Sequence, residues 1–285
     1  GLAQGKKIVI EDDIVTEITA DEVSEENFDE VFDGTGMVAM PGMTDAHVHM
    51  GCLFAKGEFP VDYATVLTVA KCKDALMAGF TTFRDAGSVS EGLKLAFDEG
   101  VLPGPRIYPC GAYISQTCGH GDSEYAHTYR DIQYRHPSST VLADGVPEII
   151  RAVREQFYRG ASHIKLMATE ILNRHEDIRL LFGTDMMITG PDYQVEQSED
   201  IRYYEKRFGT MRALRALTGT ANEVFALTTY QNPYPKGKIG VLEAGSYADL
   251  LLVDGDPTKS VSVLADTDHL RLIMKGGTVY KNTLC

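Results

Sequence analysis

The chain has 285 residues, 44% of them hydrophobic, enough for one large α/β domain and a smaller one. Its formal net charge is −14, from 27 Lys and Arg against 41 Asp and Glu. That balance argues against nucleic acid or an anionic membrane as a partner, and there is no 18-residue apolar run to span a bilayer.

The opening Gly1-Leu2-Ala3-Gln4-Gly5-Lys6-Lys7 has no apolar stretch of signal type. The five cysteines, Cys52, Cys72, Cys110, Cys118 and Cys285, are odd in number and contain no Cys-x-x-Cys. A reduced, cytoplasmic protein is expected, and a homo-oligomer. Residues 6–18 place Ile8, Val9, Ile10, Ile14, Val15 and Ile18 around Glu11-Asp12-Asp13, which predicts a β-hairpin. Eleven acids and no Lys or Arg fall between Glu11 and Asp33, the pattern of a solvated edge.

Val38-Ala39-Met40 then leads through Pro41-Gly42 into Met43-Thr44-Asp45-Ala46-His47-Val48-His49. On a strand, residues i and i+2 share a face, so His47 and His49 project together. Two neutral imidazoles so placed can hold one divalent metal such as zinc, although a bare His-x-His is also a common surface pair.

Helical spacing over 62–78 is followed by Gly79 as a stop, and Thr81-Thr82-Phe83 reads as a second strand. Arg84-Asp85 at its end is expected to form a structural pair. Residues 93–97 are helical, 105–109 begin a third strand, and 147–158 form a helix with Ile149, Ile150, Val153 and Phe157 on one face. His163–Ala168 is a predicted fourth strand. Alternation of this kind indicates a parallel sheet, whose commonest closed form is the (β/α)8 TIM-type barrel.

Lys165 sits within that fourth apolar strand. Burial would leave a neutral amine able to take up carbon dioxide as a carbamate and ligate metal; the alternative is a strand-end lysine snorkelling to solvent. Leu180–Asp185 reads as a further strand, so Asp185 either ligates a metal and accepts a proton at the carboxyl end of a barrel, or caps a turn. His163 reads as a core histidine. His120, between glycines, is a candidate substrate-binding residue on a loop. His127, His136, His175 and His269 read as surface residues. Toward the C-terminus, Ala248–Gly255, Leu270–Met274 and Thr278–Tyr280 are short strands, predicted to join the N-terminal hairpin in one small β-domain.

Several segments together resemble the metal-dependent amidohydrolase superfamily: Met40-Pro41-Gly42 with Asp45-Ala46-His47-Val48-His49, Gly79–Gly87, Gly104-Pro105-Arg106, Gly119–Asp122, Gly160–Ala168, Phe182-Gly183-Thr184-Asp185 and Ala248–Val253. The likeness is to the branch of imidazolonepropionase-like proteins, Xaa-Pro dipeptidases, acyl-amino-acid carboxypeptidases and ochratoxin-type amidases. It implies a barrel from residues 40–231 and a composite β-sandwich from 1–39 and 232–285. It also implies that His47, His49 and Asp185 hold one divalent metal, usually zinc, and that N-carboxylated Lys165 bridges to a second. The implied reaction is hydrolysis of an amide or peptide-type C–N bond of a small substrate by metal-activated water. Asp185 would be the catalytic proton carrier, and Tyr125, Tyr129 and Arg130 would bind a substrate carboxylate.

Two expected ligand histidines, from the family's fifth and sixth strands, are missing. Only 19 residues separate Lys165 from Asp185, where parallel strands need crossovers of roughly a dozen residues each. A seam is expected near Thr169–Asn173. It marks lost coding sequence, a stretch of the native protein missing between these residues, or a shortened relative. The alternatives to the hydrolase are therefore a catalytically impaired, metal-binding or interaction remnant, and a mononuclear deaminase-type enzyme with Lys165 unmodified.

Overall fold

A computed structural model describes residues 3–50, 61–87, 91–119, 121–122, 140–167, 179–187 and 193–284. The strands are β1 (Lys7–Glu11), β2 (Ile14–Thr19), β3 (Val38–Pro41), β4 (Met43–His49), β5 (Phe80–Asp85), β6 (Arg106–Tyr108), β7 (Tyr113–Ser115), β8 (Thr140–Leu142), β9 (Met186–Met187), β10 (Leu250–Val253), β11 (Leu270–Lys275) and β12 (Thr278–Asn282). The helices are α1 (Val61–Met77), α2 (Glu91–Asp98), α3 (Val146–Tyr158), α4 (Tyr193–Phe208), α5 (Thr210–Leu217) and α6 (Gly219–Phe225).

The two ends of the chain meet. β1 and β2 form the expected antiparallel hairpin, and β3 pairs antiparallel with β10 in a sheet of order β12-β11-β10-β3. Alternation explains the unbroken run Leu250-Leu251-Leu252-Val253. Leu250 and Leu252 pack with Leu272 and Met274 against the hairpin residues Ile8, Ile10, Val15 and Ile18. Leu251 and Val253 face the other way, into the main core with Leu270 and Ile273. A sheet buried on both faces requires apolar residues at every position.

The central sheet is parallel, in the order β6-β5-β4-β9. Helix α1 covers it through Ala64, Thr68, Cys72, Ala75 and Leu76, all buried and at helical spacing. The helix stops at Gly79 (φ +88), whose N–H bonds the Leu76 carbonyl, an end that favours glycine. In α2, Leu93 and Phe97 face the same core. Further round, β7 pairs parallel with β8 and bridges to Leu166. Among the described residues these strands form an open array and no closed barrel. The expected seam near Thr169–Asn173 lies outside the described residues.

Three local expectations are corrected. The strand expected at Leu180–Asp185 is not regular: its backbone-to-backbone bonds to β4 are Ala46 N–H to Phe182 O and Asp185 N–H to His47 O, and Thr184 bonds the Asp45 carboxylate instead. The left-handed backbone at Asp185 (φ +55) interrupts the ladder, and pairing resumes at β9. In α3 the inward residues are Ala152 and Gln156, while Ile149 and Ile150 are exposed. The Gln156 side chain is turned inward to accept the Ala112 N–H, and of the expected face Val153 packs partly buried against Ile114, Ala143 and Ala152. Arg84 and Asp85 take separate partners, because neighbours on a strand point to opposite faces. Arg84 donates to the Ala46 carbonyl, and Asp85 accepts from the Met50 and Gly87 N–H groups.

Candidate metal centre

The β4 strand delivers both imidazoles to one place. His47 and His49 have ring centroids 5.3 Å apart, tilted by 55°. The Asp185 Oδ1 lies 2.9 Å from His47 Nε2 and 3.1 Å from His49 Nε2. Lys165 Nζ lies 2.9 Å from the same His47 nitrogen. It is carried by an extended segment whose Lys165 carbonyl accepts the Ile114 N–H and whose Met167 N–H bonds Ile114 O. That segment is the expected fourth strand reduced to a single bridge. Asp185 is 71% exposed and His49 only 11%, so the cluster opens to solvent on the aspartate side.

Burial, and next to it the Lys165 charge, push the His47 imidazole down to about 4, so it is neutral at neutral pH. Its Nε2 then faces an amine and a carboxylate together. A neutral ring nitrogen either donates or accepts, so it satisfies one of these neighbours and leaves the other mismatched. A cation held between the ring nitrogens and the carboxylate removes the conflict, as both imidazole and carboxylate are zinc ligands. His47, His49 and Asp185 each offer a ligand atom, and these lie within 4.8 Å of one another. The donor set fits a divalent metal.

The loops are held by contacts that the sequence did not advertise. Gly183 lies against β4, where an added Cβ would stand 2.7 Å from His47 Cβ. Asp45, fully buried, accepts from the His47 and Thr184 N–H groups, the Thr184 hydroxyl and the Gln197 amide. Burial pushes its carboxyl up to about 6 despite those bonds. Thr184 could have been noticed as the neighbour of Asp185; Gln197 sits on a charged helix far along the chain and gave no signal.

His163 stands nearby, half-buried, with Nδ1 3.0 Å from the Ser162 hydroxyl and burial pushing it down to about 3. His269 bonds the Asp254 carbonyl, away from the cluster. His120, Tyr125, Tyr129 and Arg130, as well as His127, His136 and His175, lie outside the described residues. Cys72, Cys110 and Cys118 are free thiols.

The model of the amidohydrolase family matches residues 38–178, the stretch that carries both histidines and Lys165. Residues 38–178 are an amidohydrolase superfamily domain. Within that superfamily, an ochratoxinase of Aspergillus niger is 34% identical over 152 residues, covering 46% of this chain and 31% of that protein. The sequence match thus spans about a third of the length of the curated relatives. Among solved structures, one of an amidohydrolase superposes with a TM-score of 0.84 at 23% identity, covering 99% of this chain and 96% of the other. A prolidase complexed with N-methylphosphonate-L-proline gives 0.76 at 22% identity, covering 97% and 95%. The A. niger ochratoxinase structure gives 0.74 at 20% identity, covering 97% and 91%. These likenesses show the amidohydrolase fold, which in those neighbours is TIM-barrel-like. Among the described residues, no helix of this chain is long and apolar enough to cross a membrane.

Proposed function

We propose that this chain is a metal-dependent hydrolase that cleaves an amide- or peptide-type C–N bond of a small substrate, a dipeptide or an N-acyl amino acid. The observation that carries this reading is the convergence of Lys165 Nζ and Asp185 Oδ1 on His47 Nε2, each at 2.9 Å. His47, His49 and Asp185 would hold one divalent ion, zinc by ligand type, and N-carboxylated Lys165 would add an anionic oxygen between it and a second. Such an ion, when bound, polarises the substrate carbonyl and brings the pKa of water to about 7.

The side chains do the rest. Asp185, exposed to solvent, takes the proton of the attacking water and returns it to the amine nitrogen as the C–N bond breaks, leaving an acid and an amine. His47 and His49 fix the carboxylate from the strand side. Residues 40–231 would form this catalytic unit, and 1–39 with 232–285 a composite β-domain beside it. His120 would contact the substrate, and Tyr125, Tyr129 or Arg130 would bind its carboxylate. The names of the ochratoxinase and prolidase relatives support the amide and dipeptide classes.

A second reading is favoured by one observation: among the described residues, only His47, His49 and Asp185 form a possible ligand group. A single-metal deaminase-type enzyme or an impaired metal-binding domain would need no more. Zinc content measured together with amine release from N-acyl amino acids and Xaa-Pro dipeptides separates the two. Zinc-dependent hydrolysis supports the hydrolase. Bound zinc without turnover supports the second reading.

A further inference from the structure

Asp45 precedes His47 by two residues and is completely buried. A carboxylate removed from water costs several kcal/mol unless its oxygens are fully hydrogen-bonded. Its partners come from three separate parts of the fold. Oδ1 accepts the His47 N–H at 3.2 Å and the Thr184 N–H at 3.3 Å. Oδ2 accepts the Thr184 hydroxyl at 3.0 Å and the Gln197 Nε2–H at 3.3 Å. Gln197 is itself 1% exposed and projects from α4.

α4 and the segment before Asp185 also contribute apolar residues, Ile201 and Phe182, to the main core. Holding α4 against the sheet needs only such residues, so a buried acid there calls for another reason. The bonds supply one. Thr184 is fixed to Asp45 by both backbone and side chain, and the next residue, Asp185, is fixed to His47 by its own N–H at 2.7 Å. Asp185 also adopts the left-handed region (φ +55), so its carboxylate direction depends on where Thr184 is held.

We propose that Asp45, acting through Thr184 and buttressed by Gln197, is a positioning residue that sets the separation of Asp185 Oδ1 from His47 Nε2. This inference rests on the metal-site reading above. Asp45 bonds the backbone N–H of His47. It ties the strand that carries the histidines to the segment that carries the aspartate, so the two halves of the site move as one. The distance it controls is 2.9 Å.

The test compares Thr184→Val, which keeps shape and loses only the hydroxyl, with Thr184→Ser, which keeps the hydroxyl. Zinc affinity is read by competition with a chelating dye and coordination geometry by the visible spectrum of the cobalt-substituted protein. Melting of the metal-free variants is the folding control. Thr184→Val is expected to bind zinc about 10–100-fold more weakly, as outer-shell changes do, with an altered cobalt spectrum. Thr184→Ser is expected to restore both. If Thr184→Val proves unfolded, Gln197→Leu is read in the same way. Wild-type affinity and an unchanged cobalt spectrum in the folded variant overturn the inference while leaving the metal site standing. Absence of zinc binding by the unmutated protein overturns the metal site, and the inference with it.

Discussion

Gly183 is pressed so closely on His47 that a Cβ added at 183 would lie 2.7 Å from the histidine Cβ and 3.1 Å from its backbone nitrogen. The contact brings the Asp185 segment onto β4, and only a residue without a side chain permits it. Gly183→Ala is therefore expected to push the segment away. The overpacking should cost about 1–3 kcal/mol in urea denaturation, and zinc affinity should fall in parallel. Unchanged affinity would mean that the segment is free to move without disturbing the site.

Asp185→Asn separates charge from conformation. Asparagine tolerates the left-handed backbone at this position, so stability should stay near wild type. A proton carrier has been removed, and kcat on an N-acyl amino acid should fall by about 10²–10⁴-fold. Steady-state kinetics with saturating zinc checks this. Near-normal kcat would remove Asp185 from the proton path.

The fold has an independent staple far from the site. Arg106 donates from Nε to Asp249 Oδ2 at 2.9 Å and from its terminal nitrogen to Oδ1 at 3.1 Å, with its guanidinium 3.9 Å above the Tyr247 ring. This joins β6 to the residue preceding β10, and Asp249 also accepts the Gly276 N–H. Arg106→Met leaves a buried carboxylate without its counter-charge and should cost about 3–5 kcal/mol by urea denaturation. Arg106→Lys should not restore this, because an ammonium cannot reproduce the two-pronged, stacked geometry.

Glu205 on α4 gives a pH signature. Burial alone would raise its carboxyl, but bonds from Ser262, Ser260, Thr210 and the Val261 N–H bring it down to about 2 from an ordinary 4.5. A folded-state value below the unfolded one stabilises the protein above pH 4.5 and loses that contribution as pH falls toward 2. The stability gap between wild type and Glu205→Gln should therefore be largest near neutral pH and shrink through that window. A gap that stays constant to pH 3 would contradict it.

Much of this was legible in residue patterns because one period dominated each element. The hairpin β1–β2 and the helix α1 are declared by apolar spacing, and the His-x-His of β4 by its period of two. Where two demands compete, the pattern misleads. Leu180–Asp185 has a strand's composition, yet its backbone is bent by the left-handed turn at Asp185. In α3 the isoleucines announce a face, yet they are exposed, and Ala152 and Gln156 point inward, Gln156 to accept the Ala112 N–H. Arg84 and Asp85 look like an ion pair on paper, but their side chains leave opposite sides of β5. The Asp45–Gln197 contact joins residues 152 positions apart, and only folding makes them neighbours.

The central claim, that one divalent ion is shared by His47, His49 and Asp185 beside Lys165, is tested most directly by zinc K-edge X-ray absorption on the zinc-loaded protein. The account predicts two imidazole scatterers and oxygen ligands at about 2.0–2.2 Å, with the imidazole signal lost in His47→Ala/His49→Ala. A shell of sulfur at about 2.3 Å, or an imidazole signal that survives the double substitution, would contradict it.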